Sequence, residues 1–469
     1  MPTQASTMEW IREAERKIPV REVADVLVVG AGPAGITAGL AAAGDGLKVV
    51  IVDRQAFVGG NMTLGLPLLG FLTEKGEQII GGLAQKLVDR LASRNGAGRH
   101  TRCPLHVSFT LIDPEAVKSV AMDMLTESGV VVLLHSLCAG VLKKGNLLKG
   151  IIIEGKSGRE AILGKIIIDC TGDGDVAFRS GVPCQKGDEH GLMQPPTLMF
   201  CLAGVDTERL RQTVSEHPET YDTDFIPAEY YGRNRKFIIV GLRQLTQKAR
   251  EAGFSIVTDR TIITTALRDG EVWINMTRVK GTDSTDTRSL TRAEIEARKQ
   301  IDDICKYLIA YVPGFENAYL AQTAPFLGIR ESRRIVGQYV LTEEDVLSCR
   351  RFDDAIGLGS YPVDLHHPGD DDCTMKWCGD CYDIPYRCLL PRGPDNLLVA
   401  GRCISTTHEA MAATRVMPTC MAIGEAAGRA ARMAVQQGIR PADIDVAALQ
   451  QALVAHGGYL RKEVHRCVP

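Results

Sequence analysis

The stretch Asp25-Val26-Leu27-Val28-Val29-Gly30-Ala31-Gly32-Pro33-Ala34-Gly35, followed by Lys48–Asp53, decides the fold. It reads as an apolar strand, a glycine-rich turn, a small-residue helix, a second strand, and an acid at that strand's end. Gly30 permits the tight turn, Gly32 lets backbone N–H groups approach a pyrophosphate, and Gly35 lets the helix pack closely on the strand. The helix N-terminus adds partial positive charge toward phosphate. Asp53 stands 18 residues after Gly35, close to the spacing of a carboxylate that accepts from ribose hydroxyls. A GxGxxG turn alone also serves plain packing, but strand, helix and acid together predict a dinucleotide site.

The chain has 469 residues, which suggests two domains, and 45% of them are hydrophobic, as in ordinary globular proteins. A net charge of −3 gives no reason to expect nucleic acid or an anionic membrane surface as partner. No apolar run reaches the roughly 18 residues of a membrane span. Without a secretory h-region at the N-terminus, the 14 cysteines fit a reducing cytoplasm better than a disulfide framework.

Met8–Ile18 has the pattern of a short amphipathic helix, so residues 1–19 are expected to precede the first domain as a helix. Gly76–Arg94 shows helical periodicity, and Asp113–Pro114 reads as an N-cap with proline at N1, opening a helix through Glu127. Cys138–Lys143, Leu147–Glu154 and Glu160–Leu163, separated by turn pairs, predict an antiparallel meander. Lys165–Asp169 returns as an apolar strand ending at Thr171-Gly172-Asp173. Composition changes after Pro195–Pro196. The organisation expected is therefore a dinucleotide-binding domain over 20–196, an inserted α+β substrate domain over 197–352, the first domain resuming over 353–440, and a helical tail over 441–469. The fold class is α/β, a discontinuous Rossmann-like domain carrying a three-stranded meander plus the inserted domain. Asn396–Ala400 is its late strand, and Pro418–Gln437 is a helix packing through Gly424, Ala426, Ala427 and Gly428.

Three further signals favour an extended cofactor. Gly59-Gly60-Asn61-Met62-Thr63 follows the ribose acid by six residues, and its glycine pair lets backbone pass close to a ligand. Thr171-Gly172-Asp173 ends a strand beyond the meander. The Gly401 turn precedes a loop and then a helix opening at Pro418. With Gly328–Gly337, Tyr382–Arg387 and Leu398–Ser405, these motifs make the chain similar to FAD-dependent oxidoreductases of the glutathione-reductase-type fold. Within that fold it resembles the succinate dehydrogenase/fumarate reductase-like and heterodisulfide-reductase-like flavoproteins over residues from about 20 to 440.

The resemblance implies that Gly30, Gly32, Ala34, Asp53, Arg54, Gly60, Asn61, Met62 and Thr63 line FAD, with Pro33 and Gly35 in the same turn. It places Asp173, Gly401 and Arg402 near the ribityl–phosphate portion, and the helix beginning at Met417-Pro418-Thr419 at the flavin N1–C2=O edge. A helix N-terminus carries about half a positive charge and stabilises anionic reduced flavin. Arg415 either adds to that field or is a solvated loop arginine. No histidine lies between Arg54 and Gly70, so the FAD is expected to be non-covalent. Nor does a second GxGxxG occur between residues 190 and 400, which argues against a built-in nicotinamide domain.

For the substrate, Arg330, Arg333 and Arg334 form the densest cationic group, either a fork for a carboxylate or ion pairs with Glu331, Glu343 or Glu344. His408, in the loop Thr406–Glu409, and His366, after the strand-like Tyr361–Leu365, are the acid/base candidates, unless each is a hydrogen-bonded loop histidine. His106 has no supporting context. Cys373, Cys378, Cys381 and Cys388 allow three readings: reduced thiols, with Cys388 packed in the strand-like Tyr386–Leu390, a metal site, or redox exchange with flavin. The expectation is no metal.

The reading is an oxidoreductase moving a hydride between a small, anionic organic substrate and flavin N5, with an external electron acceptor. A homo-oligomer is compatible with it. The alternatives are an electron-transfer subunit, disfavoured by the absence of ferredoxin-type cysteine runs, and a tRNA-modifying flavoprotein, disfavoured by the net charge.

Overall fold

The computed structural model describes residues 11–223, 225–369 and 373–460. Its first layer is built on β1 (Val20–Val29), α1 (Pro33–Ala42) and β2 (Val49–Val52). Then follow α2 (Pro114–Glu127), β3 (Val131–Leu133), β4 (Leu137–Lys144), β5 (Leu147–Gly155) and β6 (Gly158–Asp169). The Asp113 side chain caps α2 by accepting from the Glu115 and Ala116 N–H groups. Strands β3, β2, β1 and β6 lie side by side and parallel. Val26 and Val28 bury on one face of this sheet, Leu27 and Val29 on the other, as expected of a parallel sheet covered on both sides.

The meander is present, but Glu160–Leu163 and Lys165–Asp169 are one continuous strand. The start of β6 pairs antiparallel with β5, while its outer half runs parallel to a late strand. Gly164 lies between the two segments but does not interrupt the strand, because it pairs with Ala24 of β1.

A second layer is inserted. Strands β7 (Phe200–Ala203), β8 (Ile238–Gly241), β9 (Thr261–Thr265) and β10 (Val272–Ile274) are followed by α3 (Thr287–Tyr311) and β11 (Tyr319–Thr323). They form an antiparallel sheet of order β8-β9-β10-β7-β11, over which α3 buries Ala293, Ala297, Ile301, Ile304 and Leu308. The apolar core of this layer runs from Leu198 to Leu327 within the insertion, whereas Leu341 and Val346 pack into the first layer. Trp273 ties the layers together, lying so close over Gly65 that any Cβ there would fall 2.1 Å from the ring.

The chain then returns through β12 (Leu397–Val399), paired with β6, α4 (His408–Thr414) and α5 (Met417–Gln437). Helix α5 lies directly on α1: a Cβ on Gly424 would stand 2.1 Å from Ala34 O, and one on Gly428 2.3 Å from Ala38 O. The tail contains the helix Val446–Ala455, and residues 461–469 lie outside the described residues.

Three local expectations need correction. Of the N-terminal helix, residues 1–10 lie outside the described residues and 11–19 are not helical. Residues 11–17 are exposed, so no apolar face is buried to offset the cost of nucleating so short a helix. The helix expected over Gly76–Arg94 is Gly82–Ala92, because Gly76 and Gly82 adopt positive φ and Leu72 pairs with Gln78. Tyr386–Leu389 is a 3-10 turn rather than a strand, although Cys388 is buried there.

Replacing Gly424 with alanine should cost about 1–3 kcal/mol by overpacking and lower flavin content. Gly357→Ala, whose Cβ would meet only Ala422 Cβ at 3.5 Å, should be tolerated. Urea denaturation of the two variants beside the parent protein checks the difference.

Candidate functional site

A groove follows the C-terminal ends of β1, β2 and β6. Its border includes Gly30, Gly32, Pro33, Ala34, Asp53, Arg54, Gly60, Asn61, Asp173, Gly401, Arg402, Arg415 and Met417. Gly30 has φ +102°, and a Cβ there would sit 2.4 Å from Cys170 O. Gly32 and Gly60 face each other so closely that a Cβ on Gly60 would lie 2.8 Å from Gly32 Cα. The Asp53 carboxylate accepts from the Ala31 N–H at 2.6 Å and the Gln55 N–H at 2.7 Å, so it braces the glycine turn. Arg402 donates to Gly172 O at 2.9 Å, to Asp173 Oδ1 at 2.5 Å and to Ile329 O.

Five residues expected at the cofactor stand behind this surface. Gly35 packs on Gly30 O, Met62 belongs to the buried core, and the Thr63 hydroxyl donates to Gly60 O at 2.7 Å. Pro418 and Thr419 are buried in the first turn of α5. Sequence reasoning missed Phe326 and Ile329, which the inserted segment contributes to the groove. No local pattern marks them, because only the return of the insertion over the first layer brings them there.

A cavity between the layers adjoins the groove, and the two share Asn61, Ile329, Arg415 and Met417. Its polar part holds Arg260, Asn275, Arg330, Tyr361, Asp364, His366 and His106. Asp364 accepts from Tyr361 OH at 3.0 Å and from Arg415 Nη2 at 3.3 Å, and it lies 3.3 Å from His366 Nε2. Arg278 Nη2 lies 2.7 Å from His366 Nδ1. A guanidinium only donates, so Nδ1 accepts and the ring proton sits on Nε2, facing Asp364. Burial first, then the charge of Arg330, pushes His366 down to about 3. Burial would raise Asp364, but His366, Arg415 and His106 outweigh it and hold the carboxyl well below the usual range. His106 stacks on Tyr361 at 6.3 Å, and burial pushes it down to about 4. The expectation that His106 lacks context is therefore corrected.

Arg330 is half-buried at the cavity wall. Nη1 donates to Pro195 O at 2.7 Å and Thr197 Oγ1 at 2.5 Å, and Nη2 to Asn275 Oδ1 at 3.3 Å. Burial, then Arg415 and Arg278, pushes it down to about 9, which leaves it charged at neutral pH.

Two of the three grouped arginines are elsewhere. Arg333–Ile335 is a short strand paired with Cys184–Lys186, so consecutive side chains take opposite faces. Arg333 stacks on Phe178 at 4.2 Å and donates to Asp175 at 3.1 Å. Arg334 is buried on the other face in an ion pair with Glu331. His408 is the first residue of α4 rather than a loop residue, and its Nδ1 lies 2.9 Å from the same Glu331 carboxylate. These three side chains serve packing and charge pairing away from the cavity. Of the cysteines, Cys373 lines the cavity and accepts from Arg260 Nη1 at 3.5 Å, and burial pushes Cys378 up to about 12. No group of three His, Cys, Asp or Glu among the described residues is placed to hold a metal.

The FAD dependent oxidoreductase family matches residues 25–453, and the chain belongs to that family. Among solved structures of similar fold is a geranylgeranyl bacteriochlorophyll reductase-like protein of Thermoplasma acidophilum. It has 13% identity over 93% of this chain and 84% of that one, with a TM-score of 0.44. Another is p-nitrophenol 4-monooxygenase PnpA of Pseudomonas putida, at 11%, 92%, 84% and 0.47. A third is an L-amino acid deaminase of Proteus vulgaris lacking its specific insertion, at 12%, 93%, 94% and 0.44. The protein is an FAD-dependent oxidoreductase. Among the described residues no helix is long and apolar enough to cross a membrane.

The residues present fit FAD. Helices α1 and α5 both open toward the groove without a side-chain cap, which leaves N–H groups for an anionic ligand. The facing glycines leave no side chain between the two backbones. Arg415, which borders the groove, has its Nε buried without a hydrogen-bond partner, as a polar atom awaiting a ligand would be.

Three imidazoles, those of His100, His106 and His366, have folded-state values pushed by burial below the ordinary 6.5. Below pH 6.5 the unfolded chain therefore binds protons that the folded chain does not, so stability is greatest above that pH and falls as pH drops toward 4. Urea midpoints at pH 7.5 and 5 should show this loss, and His106→Gln should reduce it. Equal losses in variant and parent would remove His106 from the account.

Proposed function

We propose that this FAD-dependent oxidoreductase acts on a small, anionic organic molecule bound in the inter-layer cavity, with an external electron acceptor completing turnover. The observation that carries this reading is the cavity's shared wall with the groove, beside an arginine whose acceptors among the described residues are all neutral. When bound along the groove, FAD supplies a two-electron acceptor at N5, taking a hydride from the substrate or returning one to it.

The protein's own residues supply the rest. Arg330 holds the substrate anion, with Asn275 and Thr197 fixing the plane of its guanidinium. Arg415 and the N-terminus of α5 place positive charge where groove and cavity meet, and there it favours electron-rich states. Asp364, kept ionised by Arg415, orients Tyr361 and the neutral His366. Tyr361 and His366 are the cavity's proton-carrying groups, through the phenol oxygen and imidazole Nε2. The apolar wall excludes water from the reacting centre.

The groove residues hold FAD without a covalent bond, since the segment Arg54–Gly70 carries no histidine to attach it. Acid precipitation should leave the flavin in the supernatant, and flavin retained with the polypeptide would contradict this. Anaerobic mixing with a panel of organic acids should bleach the bound flavin with at least one of them. With that substrate, Arg330→Lys should lower kcat/KM by one to two orders of magnitude at unchanged flavin content, because lysine cannot reproduce the planar fork. Full activity in Arg330→Lys would end the anion reading.

A further inference from the structure

We infer that the cavity selects a monocarboxylate with an apolar body, and disfavours dicarboxylates and polar acids. This rests on the reading above, in which Arg330 holds the substrate anion, and goes on to name the substrate's class.

Charge partners set Arg330 apart from the other arginines that line the cavity. Arg260 is paired with Asp259 at 2.8 Å and Arg415 with Asp364 at 3.3 Å. Arg330 differs, since its acceptors among the described residues are a carbonyl, a hydroxyl and a carboxamide, all neutral. One guanidinium lacking a carboxylate partner calls for one anionic group on the ligand.

Arg330 also keeps hydrogens that no protein acceptor among the described residues takes. A guanidinium has five N–H donors. Both on Nη1 and one on Nη2 are spent on protein acceptors, which leaves Nε–H and one Nη2–H. Two donors in one plane match the two oxygens of a carboxylate. The protein contacts fix the plane in advance, so little side-chain freedom is lost on binding.

Apolar side chains line much of the rest of the cavity. Leu66 and Leu69 from the first layer, with Leu105, Met199, Val240 and Ile262, line the same cavity. A second carboxylate or a hydroxyl chain against these side chains would lose its water without gaining a partner. An alkyl or aryl body would gain about 0.8 kcal/mol per buried CH2, close to fourfold in affinity.

The test is ligand binding to the flavin-loaded enzyme, read as perturbation of the flavin absorbance and by calorimetry. The probes are acetate, butyrate, hexanoate, phenylacetate, phenylacetamide and succinate. Affinity should rise about tenfold or more with each pair of added methylenes from acetate to hexanoate. Phenylacetate should bind at least tenfold more tightly than phenylacetamide or succinate. Arg330→Gln should weaken hexanoate and phenylacetate at least tenfold at unchanged flavin content. If succinate binds more tightly than hexanoate and Arg330→Gln weakens both, the apolar-body inference fails while the anion reading stands. Equal binding of phenylacetate and phenylacetamide, unaffected by Arg330→Gln, overturns both. Binding of none of the probes also overturns both.

Discussion

The contact between α1 and α5 governs where the rest of the molecule can be. Gly424 and Gly428 press α5 onto the backbone of α1 with no Cβ between them, while Thr37 Oγ1 donates to Met421 O at 2.7 Å. Gly35, on another face of α1, sits on the Gly30 turn. Turn, first helix and last helix are therefore locked in mutual contact through backbone atoms, and such packing leaves little room for adjustment. With α5 held this way, its first residue, Met417, falls at the junction of groove and cavity, and Arg415 falls beside it. The site's positive charge is set by this packing, because the chain just before α5 has no latitude to move.

The inserted layer is positioned by different means. Trp273 lies over Gly65, and Thr197 pairs with Gly328 where the insertion leaves and rejoins the first layer. That closure brings Ile329 and Arg330 across the mouth of the groove. The segment on the return path thus performs two tasks at once. It completes the groove with Phe326, Leu327 and Ile329, and one residue later it gives the cavity its arginine.

Much of the first layer was legible in the sequence because its constraints are local. A glycine turn, an N-cap at Asp113 and a run of small residues in α5 each reflect backbone demands met within a few residues. The cavity was harder to read. Arg330, Arg333 and Arg334 look alike in sequence, yet a short strand paired with Cys184–Lys186 sends the latter two to opposite faces, and only Arg330 reaches the ligand space. His408 follows the same logic, since its proximity in sequence to α5 does not bring it to the junction. The Glu331 carboxylate it shares with Arg334 lies across a packed interface. His106 comes from one part of the chain and Tyr361 and Asp364 from another, and no spacing rule links His106 to the pair. Their assembly depends on tertiary closure, which a single sequence does not encode in any local pattern.

The Asp364 cluster has a physical consequence for how chemistry in the cavity is set. A buried carboxylate is costly unless it is paired, and here Arg415, Tyr361 and His366 together meet it. Because Arg415 is shared with the groove, its charge has two claimants: Asp364, at 3.3 Å, and whatever negative charge lies at the junction. Arg415 Nη2 serves Asp364, whereas Nε is buried with no partner. The ion pair therefore holds Arg415 where groove and cavity meet before any ligand arrives. Electrostatic preorganisation requires donors already aimed at the site where negative charge gathers, so that no reorientation is needed as it develops. In this cluster the carboxylate keeps the arginine in place in the wall that groove and cavity share.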